Sequence, residues 1–309
     1  MKVNNMKPTR LMHFLLITFT LIFSLYHSTV FAAIKNSKII ATNKNLDALE
    51  TSFGGKIGVY AIDTANNHQI QYHAYERFPI QSTFKVMAVA SILKQSMKDN
   101  RLLQQKIILK KQDLVVWSPI TEKNVNSGMT ISELCAAALM YSDNTAANLI
   151  MKKLGGPSAV TAFARTIGDN TFQIDSFEPE LNSSPDNLDD TSTPKAMGES
   201  LKKLTLGNIL EQPQREKLVT WMRGNTTGDT RIRAGIPKGW IVADKTGTGD
   251  SISNDVAIIW PPKCAPIVVA IYTIQKTKDT ARRDDIVAST TRILMNDFSQ
   301  TNDCISKDK

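Results

Sequence analysis

Residues that bind metals are scarce in this sequence. Its 309 residues include 4 histidines and 3 cysteines, and two of the histidines, His13 and His27, lie in the N-terminal apolar segment. The other two, His68 and His73, have no cysteine or acidic cluster beside them at the spacing of metal ligands. We therefore expect neither a metal nor another cofactor.

Aromatic residues make up only 7% of the sequence, and none interleaves the paired lysines at 110–111, 152–153 and 202–203. A nucleic-acid surface needs such stacking residues beside its cations. Three basic residues of the N-terminal segment belong to the formal net charge of +8, which leaves +5 for the rest of the chain. That surplus fits a solvated surface, so we predict no nucleic-acid partner.

Only one long apolar run is present, from Leu11 to about Tyr26, and polar residues interrupt it. It is therefore a poor membrane-spanning helix. Basic residues precede it and small residues follow it, which predicts a signal peptide over residues 1–32 with cleavage after Ala32. No cysteine follows for a lipid anchor. We expect export to the periplasm, or secretion if the source has no outer membrane, and no membrane association after cleavage.

The three cysteines do not form a dense framework. Cys135 lies in an apolar helical segment and is most simply a buried free thiol. Cys264 follows two prolines at a strand turn, and Cys304 lies just past the last predicted helix. Packing of that helix along the strand would bring these two together, and an exported protein can pair them. The sequence leaves open whether they are bridged.

The length of the chain and its 42% hydrophobic content suggest about two domains with a large core. Strand patterns lie near both ends, and the stretch from Ser82 to about Thr220 is mostly helical. We predict an α/β fold (α+β class): an antiparallel sheet built from both termini and flanked by helices, with an inserted all-helical domain. The predicted boundaries are 33–74 and 224–309 for the discontinuous α/β domain and 75–223 for the helical domain. The active site should lie at their seam.

Ser82 and Lys85 stand three residues apart where an apolar helical run begins. This spacing places both side chains on one face of a helical turn. A desolvated amine and the positive end of the helix dipole favour loss of the serine proton, which makes Ser82 a candidate nucleophile. Alone, S-x-x-K is a common pattern, and a capping serine beside a surface lysine accounts for it better.

Three further patterns are each weak. The S-D-N of residues 142–144 contains residues typical of helix N-caps. Glu178 begins a polar loop, which could simply be a solvated surface turn. The K-T-G of residues 245–247 could simply be an edge strand whose glycine lets a neighbouring segment approach closely. Together with Ser82 and Lys85, in this order, they form the set typical of class A β-lactamases and penicillin-binding proteins.

From about Ala33 to the last helix, the chain resembles the class A serine β-lactamases. Residues 225–233, with Trp117, look most like the branch that includes the serine carbapenemases. The resemblance implies hydrolysis of the β-lactam amide bond through a serine acyl-enzyme, and hence antibiotic resistance. The expected partners are penicillins and cephalosporins, with carbapenems left open, and we expect a monomer.

The resemblance also implies a role for each catalytic residue. Ser82 attacks the lactam carbonyl, and the backbone N–H groups of Ser82 and Thr248 hold the oxyanion. Lys85, or Glu178 through a water, takes the serine proton, and the sequence does not decide between them. Glu178 is the general base of deacylation. Two further catalytic residues act on the leaving nitrogen: Ser142 as proton relay and Lys245 as its electrostatic partner.

The substrate-binding residues implied by the resemblance are Trp117, Asn144, Asn182, Arg231, Thr246, Gly247 and Thr248. Trp117 forms an apolar wall, Asn144 holds the acylamide side chain, and Asn182 helps to position the deacylating water. The substrate carboxylate needs a cation, which many relatives place on the strand after K-T-G, where this chain has Asn254. We assign that role to Arg231, with Arg283 as the alternative.

The chain also departs from the family pattern. Gly249 stands where some carbapenemases have a cysteine, so the disulfide of that subgroup cannot form. Ser176 replaces an arginine that usually pairs with the aspartate matching Asp190, so we expect the Glu178 loop to be tethered differently. The resemblance implies a cis peptide bond before Pro179.

Other functions share part of this chemistry. A D,D-peptidase that acts on cell-wall peptides has the same serine, lysine and K-T-G, but it stays acylated because it lacks a base such as Glu178. A β-lactam sensor domain must hold its ligand covalently and signal across a membrane. Glu178, as a base for hydrolysis, and the cleavable leader both argue against that function. A serine-dependent glutaminase also uses S-x-x-K, but neither export nor the Glu178 loop would then be expected.

Overall fold

The computed structural model describes residues 40–181, 189–277 and 280–306. The chain divides into two units, residues 1–45 and 46–309, and the fold and site below belong to the second. Of the first unit, residues 40–45 are described, and they are helical. The predicted signal peptide lies outside the described residues, as does Asn182.

The described residues form nine strands and nine helices, besides short 3-10 turns. The strands are β1 (Gly55–Asp63), β2 (His68–Tyr72), β3 (Phe78–Pro79), β4 (Lys106–Ile107), β5 (Met129–Thr130), β6 (Thr191–Ser192), β7 (Ile241–Gly249), β8 (Ile252–Trp260) and β9 (Ile267–Gln275). The helices are α1 (residues 40–53), α2 (Lys85–Ser96), α3 (Ile131–Met140), α4 (Asn144–Leu154), α5 (Pro157–Thr166), α6 (Pro194–Thr205), α7 (Gln212–Arg223), α8 (Asp284–Thr301) and α9 (Asp303–Ser306).

The central sheet combines the two ends of the chain, as predicted. Its five strands lie in the order β2-β1-β9-β8-β7, and all neighbours are antiparallel. The β1–β2 hairpin turns at residues 64–67, and Asn67 there has φ +56°. The strand β7, which carries K-T-G, is an edge of this sheet. Its outer edge is thus free to face the segment that carries Ser82.

Both faces of the sheet are covered, which explains why its inner strands read as nearly continuous apolar runs. Successive residues of a strand point to opposite faces. Accordingly Val59 and Ala61 belong to the apolar core shared with α8, whereas Tyr60 and Ile62 belong to the core shared with the helices between β2 and β7.

The helix α2 lies in the middle of the helical region. Every residue from Lys85 to Leu93 is buried, and a helix that is apolar all round is typical of such a position. Ser82 does not lie in α2 itself, because residues Gln81–Phe84 form a 3-10 turn that runs directly into it. The nucleophile candidate and Lys85 therefore share a continuous helical path.

The structure shows which cysteines are paired. Cys264 and Cys304 form a disulfide with their Cα atoms 5.9 Å apart, and it joins the turn after β8 to α9. Cys135 is a buried free thiol, as predicted, and burial raises its pKa. Within the part of the chain that the structure describes, no helix has both the length and the apolar character needed to cross a membrane.

Candidate active site

Ser82 lies between two groups that can accept its proton. Lys85 Nζ is 2.8 Å from Ser82 Oγ, and Glu178 Oε1 is 3.4 Å from the same oxygen. Lys85 Nζ and Glu178 Oε1 are themselves 3.3 Å apart. The structure thus brings the S-x-x-K pair and the loop glutamate into one cluster, although 96 residues separate Ser82 from Glu178.

Lys85 is a buried amine rather than a surface lysine. Its Nζ also lies 2.9 Å from the Ser142 carbonyl oxygen and 2.5 Å from Asn144 Oδ1. Its side chain is fully inaccessible to solvent. Burial lowers the pKa of Lys85 by disfavouring the charged ammonium, and the carboxylate of Glu178 opposes that shift.

In the S-D-N segment, Asp143 has a structural role, whereas Ser142 and Asn144 belong to the candidate site. Asp143 is the N-cap of α4, and its Oδ1 accepts a 2.8 Å hydrogen bond from the Ala146 N–H, as the capping interpretation predicts. Ser142, with φ +57°, and Asn144 flank this cap and contact Lys85. A capping residue therefore holds two site residues in place.

A second lysine meets Ser142 from the sheet. Lys245 Nζ donates to Ser142 Oγ at 3.0 Å and to the Thr246 carbonyl oxygen at 2.8 Å. Ser142 Oγ is also 3.3 Å from Lys85 Nζ, so this hydroxyl bridges the two amines. Burial, reinforced by the positive charge of Lys85, lowers the pKa of Lys245 well below its ordinary value.

Glycine at position 247 lets β7 approach the nucleophile segment. A Cβ atom there would lie 2.9 Å from the Ile80 carbonyl oxygen and 3.1 Å from Thr83 Cγ2. The K-T-G strand therefore packs directly on the turn that carries Ser82, as the edge-strand interpretation predicts. Thr246 Oγ1 lies 2.5 Å from Thr227 Oγ1.

The loop that carries Glu178 is held by its backbone. Asn148 on α4 donates to the Glu178 carbonyl oxygen at 2.8 Å and accepts from the Glu178 N–H at 2.9 Å. Asp190 Oδ1 accepts from the N–H groups of Asp175 and Ser176, at 2.9 and 3.1 Å. The Asp190 carboxylate therefore holds the loop through backbone amides. This is the different tether that we expected because Ser176 replaces an arginine. The peptide bond between Glu178 and Pro179 is cis, as expected.

Arg231 is buried beneath the end of β7, with 1% of its surface exposed. Its guanidinium donates to the carbonyl oxygens of Gly247 and Asn254, at 2.8 and 2.7 Å, and to Thr248 Oγ1 at 2.7 Å. On its other side it is 2.9 Å from Asp284. Arg231 can therefore act on a ligand through Thr248, at the exposed end of the strand.

The other residues considered for the anion site lie elsewhere. Arg283 is exposed and makes two hydrogen bonds to Asp285, at 2.8 and 2.7 Å. Asn254 is buried on β8 opposite Gly247, where its amide donates to the Pro79 carbonyl oxygen at 2.8 Å. At the position on β8 where the family resemblance leads us to expect an arginine, this chain therefore has an amide that joins the sheet to β3.

Trp117 lies at the rim, with 60% of its surface exposed, and its Nε1 donates to the Tyr141 carbonyl oxygen at 3.1 Å. Its backbone carbonyl accepts from the Asn144 N–H at 2.9 Å.

Across the described ranges, no group of three or more His, Cys, Asp or Glu side chains is arranged to hold a metal ion. The cluster's chemistry is that of a serine, two buried amines and a carboxylate.

The family model of the "Beta-lactamase enzyme family" matches residues 41–298 of this chain. The chain belongs to the class A β-lactamase family. It is a hydrolase that acts on β-lactams, and the five-stranded antiparallel sheet flanked by helices is the fold of that family.

Individual relatives agree with this assignment. The chain is 53% identical to β-lactamase Toho-1 of Escherichia coli over 260 residues, which cover 84% of this chain and 89% of the relative. It is 52% identical to β-lactamase OXY-2 of Klebsiella oxytoca, over 82% of this chain and 88% of the relative. The crystal structure of a β-lactamase from Desulfarculus baarsii DSM 2075 matches with a TM-score of 0.82 at 46% identity, over 83% of this chain and 96% of that one. These relatives do not support the predicted likeness to the carbapenemase branch.

Some residues that shape this β-lactamase site were not predicted from the sequence. Asn148 lies one helical turn after Asn144, so the i,i+4 spacing on α4 was a signal that could have found it. Asp284, the partner of Arg231, begins α8 and carries no local pattern that points to the site. Long-range packing alone reveals it.

Proposed function

We propose that this β-lactamase opens the lactam ring with Ser82 and hydrolyses the resulting ester with Glu178. The observation that carries the proposal is the position of Ser82 Oγ, 2.8 Å from a buried amine and 3.4 Å from a carboxylate. One serine thus has a base for its own activation and a second base for the water that must follow. A D,D-peptidase or a sensor would need only the first.

Acylation begins with the Ser82 proton. Lys85 Nζ is the nearer acceptor, and its lowered pKa favours the neutral amine that a general base requires. The proton passes to Lys85 as Ser82 Oγ bonds to the lactam carbonyl carbon. The backbone N–H groups of Ser82 and Thr248 hold the oxyanion.

Collapse of that intermediate breaks the C–N bond and leaves a nitrogen that needs a proton. Ser142 Oγ, between the two lysine amines, relays the proton from Lys85 to the nitrogen. Lys245 stabilises the Ser142 oxygen electrostatically. The product of this stage is the acyl-enzyme, a Ser82 ester with the ring nitrogen protonated.

Deacylation uses the other side of Ser82. Glu178 takes a proton from a water as the water oxygen attacks the ester carbonyl, and Glu178 gives that proton to Ser82 Oγ as the ester C–O bond breaks. Asn148 fixes Glu178 through its backbone, and Asn182 helps to position the water. The acylamide side chain of the substrate binds Asn144 against the apolar face of Trp117.

The substrate carboxylate binds at the end of β7, to the hydroxyls of Thr246 and Thr248 beside Lys245 and Gly247. Arg231 supplies the added positive charge through its hydrogen bond to Thr248. Arg283 is less suited, because its guanidinium is bonded to Asp285 beside it, whereas that of Arg231 is bonded to Thr248 at the site. Penicillins and cephalosporins are the proposed substrates, and carbapenem hydrolysis is a separate outcome to be measured.

The organisation proposed around this site follows the sequence prediction. Residues 33–74 and 224–309 form one domain and residues 75–223 the other. Residues 1–32 direct export to the periplasm and are removed. The mature enzyme acts as a monomer.

Time-resolved intact-mass spectrometry of the mature protein with excess benzylpenicillin tests the proposal. We expect repeated hydrolysis with little lasting adduct, and no adduct with Ser82→Ala. A stable one-to-one adduct on the unaltered protein would instead favour the peptidase or the sensor. A parallel series with a cephalosporin and a carbapenem determines the spectrum.

A further inference from the structure

A groove lies between α7 and the start of β7, at the other end of that strand from K-T-G. Its volume is about 440 Å³, which is within the range of small-molecule sites. Its apolar lining residues are Val219 on α7, Ile241 on β7, Trp260 at the end of β8, and the two prolines that follow, Pro261 and Pro262. An apolar lining with a few polar groups is typical of a ligand site.

Two of these apolar residues lie side by side on the sheet. Ile241 and Trp260 are directly opposite each other on the antiparallel strands β7 and β8, so their side chains share one face. Ile241 is 44% exposed, and Trp260 is half-buried. Apolar surface of the groove is therefore in contact with water, and a ligand with an apolar body would remove that contact.

The same groove is lined by two cations, Arg223 and Lys263. Both are exposed, and among the described residues neither side chain has a hydrogen-bond or ion-pair partner. No Asp or Glu in the described part of the chain lines the groove. Arg223 ends α7, and the Thr220, Met222 and Arg223 carbonyl oxygens of that helix end already accept hydrogen bonds. Both cations are thus available to an anion from outside the chain.

The backbone at Lys263 supports a role for its side chain. The Cys264 N–H donates to the Pro261 carbonyl oxygen at 3.2 Å and closes a four-residue turn, which the disulfide to Cys304 ties to α9. Lys263 is the third residue of this turn and has φ +59°. Glycine or asparagine is favoured at such a position. A longer side chain held in this conformation points to a function for that side chain.

We propose that this groove is a second ligand site, which binds an aliphatic carboxylate of the fatty-acid type. The hydrocarbon chain packs against Ile241 and Trp260, and the carboxylate accepts charge-assisted hydrogen bonds from Arg223 and Lys263. Ile241 precedes Lys245 by four residues, about 13 Å along a strand, so the ligand lies apart from the reacting groups. Binding needs no chemistry at Ser82, and the inference therefore does not depend on the proposed function.

The test is an NMR titration of the mature protein with decanoate. The Ile241 and Lys263 amide signals and the Trp260 indole N–H signal should shift saturably, with a Kd of about 0.1–1 mM for a ligand of this size. Decyltrimethylammonium, which has the same chain and the opposite charge, should bind at least about tenfold more weakly. The inference is wrong if decanoate gives no saturable shift at these residues, if its shifts are confined to residues 245–249, or if the cation binds equally well.

Lys263→Gly separates the binding role of the lysine from a structural role. Glycine adopts a positive φ without the steric cost, so Tm should not fall. The Kd for decanoate should rise about five- to tenfold, because a charge-assisted hydrogen bond is lost.

Arg223→Gln tests the other cation independently and should raise the Kd by a similar factor. Lys98→Gln is the control, because Lys98 is an exposed lysine in the turn after α2 and does not line the groove. It should leave the Kd unchanged. An unaltered Kd in both Lys263→Gly and Arg223→Gln, or an equal rise in Lys98→Gln, would overturn the inference.

Discussion

The two walls of the candidate site are built in different ways. The first, which we term the acid–base wall, consists of side chains that contact one another: Ser82, Lys85, Ser142, Asn144 and Glu178. The second, the strand wall, is the end of β7, residues 245–249. It presents backbone groups and hydroxyls, and the guanidinium of Arg231 lies beneath the strand.

This difference follows from what each wall must do. Proton transfer needs atoms within hydrogen-bonding distance, so the acid–base wall is a connected cluster around Lys85. Binding an anion needs positive charge and fixed donors, but a mobile surface arginine would have to be ordered at each encounter. Arg231 is already ordered by four hydrogen bonds. We expect substitutions in the acid–base wall to change rate constants, and loss of the Arg231 charge beneath the strand wall to change substrate affinity.

The largest effect is expected for Lys85→Met. Loss of the buried amine removes the nearest base of Ser82, and general-base catalysis contributes about 10²–10⁴-fold. Stopped-flow acylation with a chromogenic cephalosporin should slow by a factor in that range. Lys94→Met is the matched control, because Lys94 lies on the same helix and its Nζ donates to the Ile209 carbonyl oxygen at 2.8 Å, away from Ser82. Equal effects of the two substitutions would contradict the role of Lys85.

Arg231→Met is expected to have the next largest effect. It removes the charge beneath Thr248, so KM should rise about ten- to a hundredfold, in line with the worth of a charge-assisted hydrogen bond. It also removes the buried arginine 2.9 Å from Asp284 and leaves that carboxylate with the exposed Arg282 at 3.4 Å, so Tm should fall.

Arg283→Met is the control for Arg231, because its side chain is exposed and bonded to Asp285. It should leave KM and Tm nearly unchanged. A larger rise of KM for Arg283→Met than for Arg231→Met would assign the substrate carboxylate to the alternative arginine.

A smaller effect is expected in the pH dependence of acylation. Burial lowers the pKa of Lys85, and Glu178 raises it back in part. If neutral Lys85 is the base, the acylation rate rises with pH through that lowered pKa. Glu178→Gln removes the opposing charge, so the rising limb should move to lower pH. If Glu178 were the base, the limb would vanish instead, and single-turnover rates across pH distinguish the two.

The smallest kinetic effect is expected for the disulfide. Cys264 and Cys304 are 40 residues apart in sequence, and Cys264 follows the end of β8 that lies away from Gly247. The paired change Cys264→Ser and Cys304→Ser should leave kcat/KM unchanged while lowering stability by about 3–4 kcal/mol, from loop-closure entropy. Urea unfolding measures the loss, and a large fall in kcat/KM would show that the far end of the sheet affects the site.

Local patterns predicted the acid–base wall better than the strand wall. S-x-x-K, S-D-N and the loop glutamate are short segments whose residues contact one another, so their spacing carries the information. The strand patterns near both ends of the chain likewise predicted the antiparallel sheet. The partners of Arg231, by contrast, come from β7, β8 and α8, and only the folded chain brings Asp284 to it.

The most direct test of the proposed division between Lys85 and Glu178 is intact-mass spectrometry of Glu178→Gln with benzylpenicillin. The account predicts rapid accumulation of a one-to-one adduct that peptide mapping assigns to Ser82, with turnover slowed by at least about a hundredfold. Turnover by Glu178→Gln at the unaltered rate, or an adduct on a residue other than Ser82, would contradict it.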